Sequence, residues 1–375
     1  MSQSAASHPL AWAEASLLAR ARRRLVGDRL ARASAALLLL VALACLVGPF
    51  VTGHPYDRLY YDYPGTPPSL ALYPKPASVR PALDRLAFRM RVRAEDVAVT
   101  GDAVRLTLAS DKPVDSRVLT FFSRSDTFGE ARILGRSEDG RRLAVEAPLR
   151  SLRFLAGTDT LGRDLLTRTL VAGRLSLALG LLATAVALGI GVIYGALAGT
   201  LGGRVDAAMM RLVDILYSLP FVFFVIMLVV FFGRSVALIF VAVGAVEWLD
   251  MARIVRAEAQ GIRRRDYVRA AEALGLSTAA ILRRHVVPNL LGPVVAFAAL
   301  MVPRVILLES FLSFLGLGVQ EPATSWGVLI ADGARSLETA PWMLVVPAAF
   351  LVATLVALTL LAERLRDALD PREGA

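Results

Sequence analysis

The sequence predicts an all-α polytopic membrane protein with six transmembrane helices and a small β-rich extracytoplasmic insertion between helices 1 and 2. Three observations predict it: long uncharged apolar runs, basic residues in every second connection once the long segment after the first span is set aside, and a change of texture over residues 54–165. The 375 residues are 56% hydrophobic with a mean hydropathy of +0.57, too apolar for a soluble chain of this length. Uncharged runs cover 33–56, 175–203, 215–233, 286–303 and 339–362. A bilayer core of about 30 Å is crossed by about 20 apolar residues as a helix. A shorter run, 235–246, continues through Glu247-Trp248-Leu249-Asp250 toward Arg253 and is the sixth span.

The formal charge of +10 is explained by topology and does not point to nucleic acid. Arg20, Arg22, Arg23, Arg24, Arg29 and Arg32 precede the first span. Arg204 and Arg211 fall between the second and third, and Arg253 through Arg284 between the fourth and fifth. Arg364, Arg366 and Arg372 follow the last. Every second connection is basic, as expected when both termini are cytoplasmic. The first apolar run exceeds the roughly 7–15 residues of a signal-peptide core, so it is read as a retained anchor. The single cysteine, Cys45, lies inside it.

Five segments follow. Residues 1–32 are a cytoplasmic lead-in, with 16–30 either a basic helix on the membrane surface or a solvated tail. Residues 33–53 are the first span and 54–165 the extracytoplasmic segment. Residues 166–365 are a five-helix core, and 366–375 are a cytoplasmic tail. The extracytoplasmic segment opens with Tyr60, Tyr61, Tyr63 and several prolines, which read as extended linker. Strand-like runs 96–99 and 103–108 flank Thr100-Gly101-Asp102, and 132–134 and 142–145 flank Glu138-Asp139-Gly140, two hairpin signals. In span two, Gly191, Gly195 and Gly199 repeat every fourth residue and form a face for close helix packing. Pro220 and Pro303 are expected to bend or break their helices.

Several chemistries are excluded. A phosphate-binding P-loop needs a lysine followed by Ser or Thr, yet Lys75 and Lys112, the only lysines, each precede a proline. His8, His54 and His285 are too scattered for a zinc motif, and one cysteine makes no metal cluster. No catalytic residues and no metal site are expected. Ser310 and Ser313 lie near a membrane helix, but no His or Lys base accompanies them in a span. Among intramembrane ionisable residues, Glu309 is the candidate for the translocation pathway. Glu247, Asp250 and Arg304 stand behind it, the first two read as reaching the cytoplasmic interface.

The informative segment is the loop at about 253–288. Tyr267, Ala270, Ala271 and Leu274 share one helical face by spacing. Gly275 suits the left-handed residue that ends a helix. Ser277 suits the N-cap of a second short helix, 278–285, before Pro288 opens the next span. Two short helices with a small, alanine-rich face fit a groove on another protein.

Ala270-Ala271, Leu274-Gly275 and Arg284-His285-x-x-Pro288-Asn289 resemble the coupling loop of ABC-importer permeases. Gly157-Thr158-Asp159-x-x-Gly162-Arg163-Asp164 resembles the segment before span two in the dipeptide/oligopeptide/nickel permease family. Arg211-x-Val213-Asp214-x-x-x-Ser218-Leu219-Pro220, Ser313-Phe314-Leu315-Gly316-Leu317-Gly318 and Ser325-Trp326-Gly327 resemble its later signatures. The resemblance covers roughly 157–369. It implies a type I ABC importer permease fold, an inner-membrane location and transport of di- or oligopeptides, with nickel or another small solute as second choice. It also implies docking of the ATPase on Asp266, Tyr267, Arg269, Ala270, Ala271, Glu272, Leu274, Gly275, Ser277, Arg284, His285 and Pro288. The implied partners are two ATPase chains that use the ATP, a second homologous permease and an extracytoplasmic substrate-binding protein. This chain itself binds no cofactor. The family usually has a glutamate where Arg269 stands and often a basic residue where Glu272 stands, so the charges look exchanged across one helical turn. A secondary transporter and an intramembrane hydrolase are the rival readings, and neither gives the loop a purpose.

Overall fold

In the computed structural model, residues 21–233 and 235–369 are described. Residues 1–20 of the predicted lead-in (1–32) and residues 370–375 of the predicted tail (366–375) lie outside them. The elements in chain order are α1 (Arg29–Val51), α2 (Pro76–Met90), β1 (Arg93–Thr100), β2 (Ala103–Ala109), α3 (Thr120–Arg124), β3 (Arg132–Arg136) and β4 (Arg142–Pro148). They continue with α4 (Leu165–Leu201), α5 (Gly203–Ser218), α6 (Phe221–Phe232), α7 (Val236–Arg263), α8 (Asp266–Ala273) and α9 (Thr278–Ile281). Last come α10 (Val287–Phe314), α11 (Trp326–Arg335) and α12 (Trp342–Leu369).

Among the described residues, four helical runs are long and apolar enough to cross a membrane: α1, α4, Thr278–Phe314 and α12. A fifth results if α5 and α6, bent by 76° at their junction, count as one. This is fewer than the six expected. The break between α5 and α6 falls at Pro220, and Leu219 before it is extended at φ −74°, ψ 125°, as proline's ring demands of its predecessor. The short run 235–246 is the first half of α7, whose second half is charged, so α7 does not qualify by apolarity. Pro303 does not break its helix; α10 runs through both Pro293 and Pro303.

The chain forms two compact units. One comprises Pro49–Arg168 and Gly333–Val346. It contains a four-stranded antiparallel sheet in the order β1-β2-β4-β3. Both predicted hairpins are present, but the segment is mixed, because α2 was not foreseen. In β2 and β4 the buried residues alternate: Val104, Leu106, Leu108 and Leu143, Val145, Ala147. Val79, Leu83, Leu86 and Met90 of α2 recur at helical spacing and join them with Phe122 and Phe128 in one core. The tyrosine- and proline-rich stretch is packed and is no free linker: Tyr60, Tyr63 and Tyr73 are buried around Phe154. Asp62 Oδ2 accepts from Ser125 Oγ at 2.7 Å, the amides of Asp126 and Thr127, and Thr127 Oγ1.

The Gly157–Asp164 signature fastens this stretch. Thr158 Oγ1 accepts from Thr66 N at 2.8 Å and donates to Tyr63 O at 2.5 Å. Asp159 pairs with Arg163 at 2.7 Å and Arg168 at 3.1 Å. Asp164 caps α4 by accepting from Thr167 N at 2.8 Å, which satisfies one of the amides a helix start leaves free.

The other unit holds the residues up to Gly48, Thr169–Asp332 and the chain from Pro347. In α1, Pro49 offers no amide to the carbonyl of Cys45 four residues back. Arg174 Nε donates to that oxygen at 2.7 Å and its Nη2 to Leu46 O at 2.8 Å. The glycine stripe of α4 meets α7. A Cβ at Gly191 would lie 2.6 Å from Met251 Cβ, and one at Gly199 would lie 2.8 Å from Ala259 Cβ. Between α5 and α7, Arg256 chelates Asp206 at 2.5 and 2.6 Å, Gln260 Nε2 donates to the same carboxylate, and Arg253 pairs with Asp214 at 2.8 Å. The signature aspartate Asp214 is therefore one end of an interhelical pair.

Candidate functional site

The loop between α7 and α10 is built as two short helices around a tight turn. In α8, Val268 is fully buried in a cluster with Val255, Ala259, Ile262, Ile281 and Val286. Of the four residues expected on one docking face, Tyr267, Ala270 and Leu274 point outward, whereas Ala271 is buried at 8% exposure on the side of Val268. The three-residue spacing from Val268 to Ala271 puts both on the inner side. Leu274 is 82% exposed. Gly275 has φ +85°, with Leu276 N donating to Ala271 O at 3.1 Å and Gly275 N to Glu272 O at 3.0 Å. This is a glycine-terminated helix end of the Schellman kind. Ser277 Oγ accepts from Ala280 N at 3.3 Å and caps α9.

The second helix does not end at His285. It passes through a π-turn, Leu282–Val286, directly into α10, with Pro288 in the first turn. Asn289 Nδ2 donates to His285 O at 2.7 Å, and the rings of Tyr267 and His285 lie 6.1 Å apart. Asp266, Arg269, Glu272, Arg283 and Arg284 are exposed around the turn. Glu272 pairs with Arg263 at 3.6 Å, so its partner is at the end of α7 rather than Arg269 on its own helix. An exposed leucine inside a ring of charges is what helix-in-groove docking uses.

Glu309 is 1% exposed. Its Oε1 accepts from Ser313 Oγ at 2.8 Å and its Oε2 from Ser176 Oγ at 3.3 Å. Ser325 Oγ lies 3.3 Å from Ser313 Oγ, and Trp326 N donates to Ser176 Oγ at 3.3 Å. The indole of Trp326, fully buried, donates to Thr169 O at 3.0 Å. Two signature motifs, Ser313–Gly318 and Ser325–Gly327, thus converge with α4 on this carboxylate. Among the described residues no histidine or lysine approaches these serines as a base, and the arrangement is a polar tie between three helices.

The residues placed behind Glu309 in the sequence are the ones that meet a cavity. A space of about 640 Å³ is lined by Tyr217, Pro220, Phe221, Glu247, Asp250 and Arg304, among others, from α5, α6, α7 and α10. Arg304 Nη1 pairs with Asp250 Oδ2 at 2.7 Å, and Arg304 Nε lies 3.9 Å from Glu247 Oε1. Glu247 is 3% exposed and embedded in α7 rather than lying at a helix end. Nothing local in the sequence pairs it with a residue on α10.

The family profile described as binding-protein-dependent transport system inner membrane component matches residues 191–374. A second, described as the N-terminal TM domain of oligopeptide transport permease C, matches residues 16–68. The oligopeptide transport system permease protein OppC of Escherichia coli (strain K12) is 56% identical over 217 residues, 58% of this chain and 72% of that one. The dipeptide transport system permease protein DppC of Bacillus subtilis (strain 168) is 44% identical over 217 residues, 58% of this chain and 68% of that one. A crystal structure described as an amino acid ABC transporter with histidines aligns at a TM-score of 0.41 and 14% identity, covering 53% of this chain and 92% of that one. The identity to OppC extends over most of that permease's length, and the chain therefore belongs to the family of binding-protein-dependent transport system inner-membrane components.

Proposed function

We propose that this chain is the permease subunit of an ATP-binding-cassette importer that carries di- or oligopeptides across the cytoplasmic membrane. The names of its relatives point to peptides. The single structural observation that carries the energetic part is the projecting α8–α9 turn, with Leu274 82% exposed on a loop anchored from within by buried Val268 and Ala271. In this reading two ATPase chains, a second homologous permease and an extracytoplasmic binding protein complete the importer. Both termini of the chain are cytoplasmic, and the sheet-containing segment after α1 faces the other side. ATP is bound and hydrolysed by the partners alone. Closure of the ATPase dimer displaces the docked loop, and the spans exchange between outward- and inward-facing states through contacts that differ between the two.

The test is co-purification. Leu274→Asp places a charge in the apolar contact, and Gly275→Val forces a β-branched residue into a left-handed conformation at φ +85°. Each is expected to remove the ATPase from the purified membrane complex while the chain still inserts. Recovery of the ATPase at wild-type yield with both variants rejects docking at this loop.

A further inference from the structure

We propose that the cavity between α5, α6, α7 and α10 contains a subsite for a primary ammonium group, the free N-terminus of a peptide in transit, and that Glu247 is its principal acceptor. The inference rests on the importer reading above and names the part of the substrate this chain touches.

The argument begins with charge. The cavity wall presents two carboxylates, Glu247 and Asp250, and one guanidinium, Arg304. Arg304 is committed to Asp250 at 2.7 Å, and its nearest approach to Glu247 is the looser 3.9 Å contact through Nε and Oε1. The neighbouring charges are already paired: Arg253 bonds Asp214 at 2.8 Å and lies over the Tyr217 ring at 4.2 Å. One negative charge is left over in the group facing the space. In this formal count the unmatched carboxyl is Glu247, whose Oε2 is buried and accepts no hydrogen bond among the described residues. A buried carboxylate oxygen with no donor is costly, and charged partners repay that cost best. A donor arriving through the cavity satisfies it.

The shape and chemistry of the space narrow the donor. Most of the wall is apolar, with Leu216, Leu219, Phe221, Leu307 and Phe311 around the charged end. An ammonium group on a short chain of mixed polarity fits such a site, since it gives three donors to a carboxylate at one end and apolar contact along the rest. No group of three or more His, Cys, Asp or Glu side chains that could hold a metal ion is found among the described residues, so the site is matched here to an organic cation. A peptide carboxylate is a poorer match because Arg304 already holds a carboxylate. The N-terminal ammonium is also common to peptides of any side-chain sequence, so a pathway for varied peptides can use it.

The experiment is a binding titration on the purified complex of both permeases and both ATPases in lipid nanodiscs, without the binding protein. Trialanine, N-acetyl-trialanine and trialanine amide are the probes, followed by NMR saturation transfer at millimolar concentration. Trialanine and its amide are expected to bind, with the acetylated peptide about ten-fold weaker, as loss of a charge-assisted hydrogen bond implies. Glu247→Gln is expected to bring the first two down to the level of the acetylated peptide. The proposal is overturned if Glu247→Gln binds trialanine as wild type does, if acetylation has no effect, or if wild type binds none of the probes. Selective loss on amidation also overturns it, in favour of a carboxylate site at Arg304. Asp250→Asn, expected to loosen Arg304 and weaken ammonium binding in the same selective way, decides the matter if Glu247→Gln does not assemble. Uptake of trialanine by the wild-type importer with its binding protein is measured in parallel. Absence of uptake rejects the importer reading, whereas uptake together with unaltered Glu247→Gln binding rejects the subsite alone.

Discussion

Two alanine substitutions in one helix should have opposite signs. Gly189 and Gly195 both lie in α4, six residues apart, and glycine-to-alanine adds the same methyl group to each. At Gly195 the added Cβ would sit 2.8 Å from Val255 Cβ and 3.0 Å from Arg256 N, with the carbonyl of Ala252 closer still. Carbon contacts are comfortable near 3.5–4.0 Å, so α4 and α7 must part by roughly 1 Å. Two of the three neighbours are backbone atoms and cannot swing aside. Overpacking of this kind costs about 1–3 kcal/mol. At Gly189 nothing lies within 4 Å, so only the backbone preference remains, which favours alanine by about 0.8–1.0 kcal/mol inside a helix. The backbone preference is the same at both positions and cancels, so the two variants should differ by the overpacking alone, about 1–3 kcal/mol, or on the order of 2–10 °C in Tm for a chain of this class. The assay is built in. Cys45 is the sole cysteine and is 1% exposed, so a thiol-reactive fluorophore reports its release during heating. If Gly195→Ala melts at or above Gly189→Ala, the close approach of α4 and α7 is wrong.

Ser277→Ala removes the hydroxyl that caps α9 and should cost about 1 kcal/mol locally, read as faster amide exchange at Ala280 with exchange in α10 unchanged. Arg263 and Glu272, 3.6 Å apart, should show a small coupling of about 0.2–1 kcal/mol in a double-mutant cycle. Arg269 and Glu272 should combine additively, since Glu272 is paired elsewhere. Asp126 is buried in the sheet-containing unit, where burial first and the Asp62 carboxylate second push its pKa up, with Arg58 opposing. A raised folded-state pKa means that the folded form holds the proton more tightly. The resulting stability is present below the unfolded value of about 3.9 and is lost as pH rises through the folded value. Amide exchange in β2 and β4 of the full chain should thus accelerate between these pKa values more than its intrinsic chemistry requires. Asp126→Asn should remove that excess.

The parts of this structure that could be read in the sequence are those set by near neighbours. Gly275 and Ser277 define a turn through their own backbone and the two residues on either side, and the hairpins at Gly101 and Gly140 are equally local. The Gly191-Gly195-Gly199 stripe could be read because its period matches a helix, although its partner α7 could not. Helix α2 was hidden by Pro76 and Pro81, even though Val79, Leu83, Leu86 and Met90 carry the spacing. The tyrosine-rich stretch looked like linker because its packing depends on Phe154, far along the chain. The same limit explains the cavity. Glu247 and Arg304 meet across 57 positions, and no local pattern announces an ion pair between two helices. Glu309, the more conspicuous acid in an apolar run, is closed in by serines contributed by three separate segments.

The two helices that line the charged end of the cavity are the same two that frame the projecting turn. About 25 Å of α7 separates Glu247 from Arg263, and about the same length of α10 separates Val287 from Arg304. The pair resembles tongs with arms of equal length, gripped at the turn and pinned midway by Arg304 and Asp250. A push that moves both arms together leaves the pin intact and carries the cavity along as a block. A push that slides one arm past the other breaks a 2.7 Å contact between the half-exposed Arg304 guanidinium and the largely buried Asp250 carboxylate. The geometry therefore resists sliding of α7 past α10 and leaves a joint tilt of the two open.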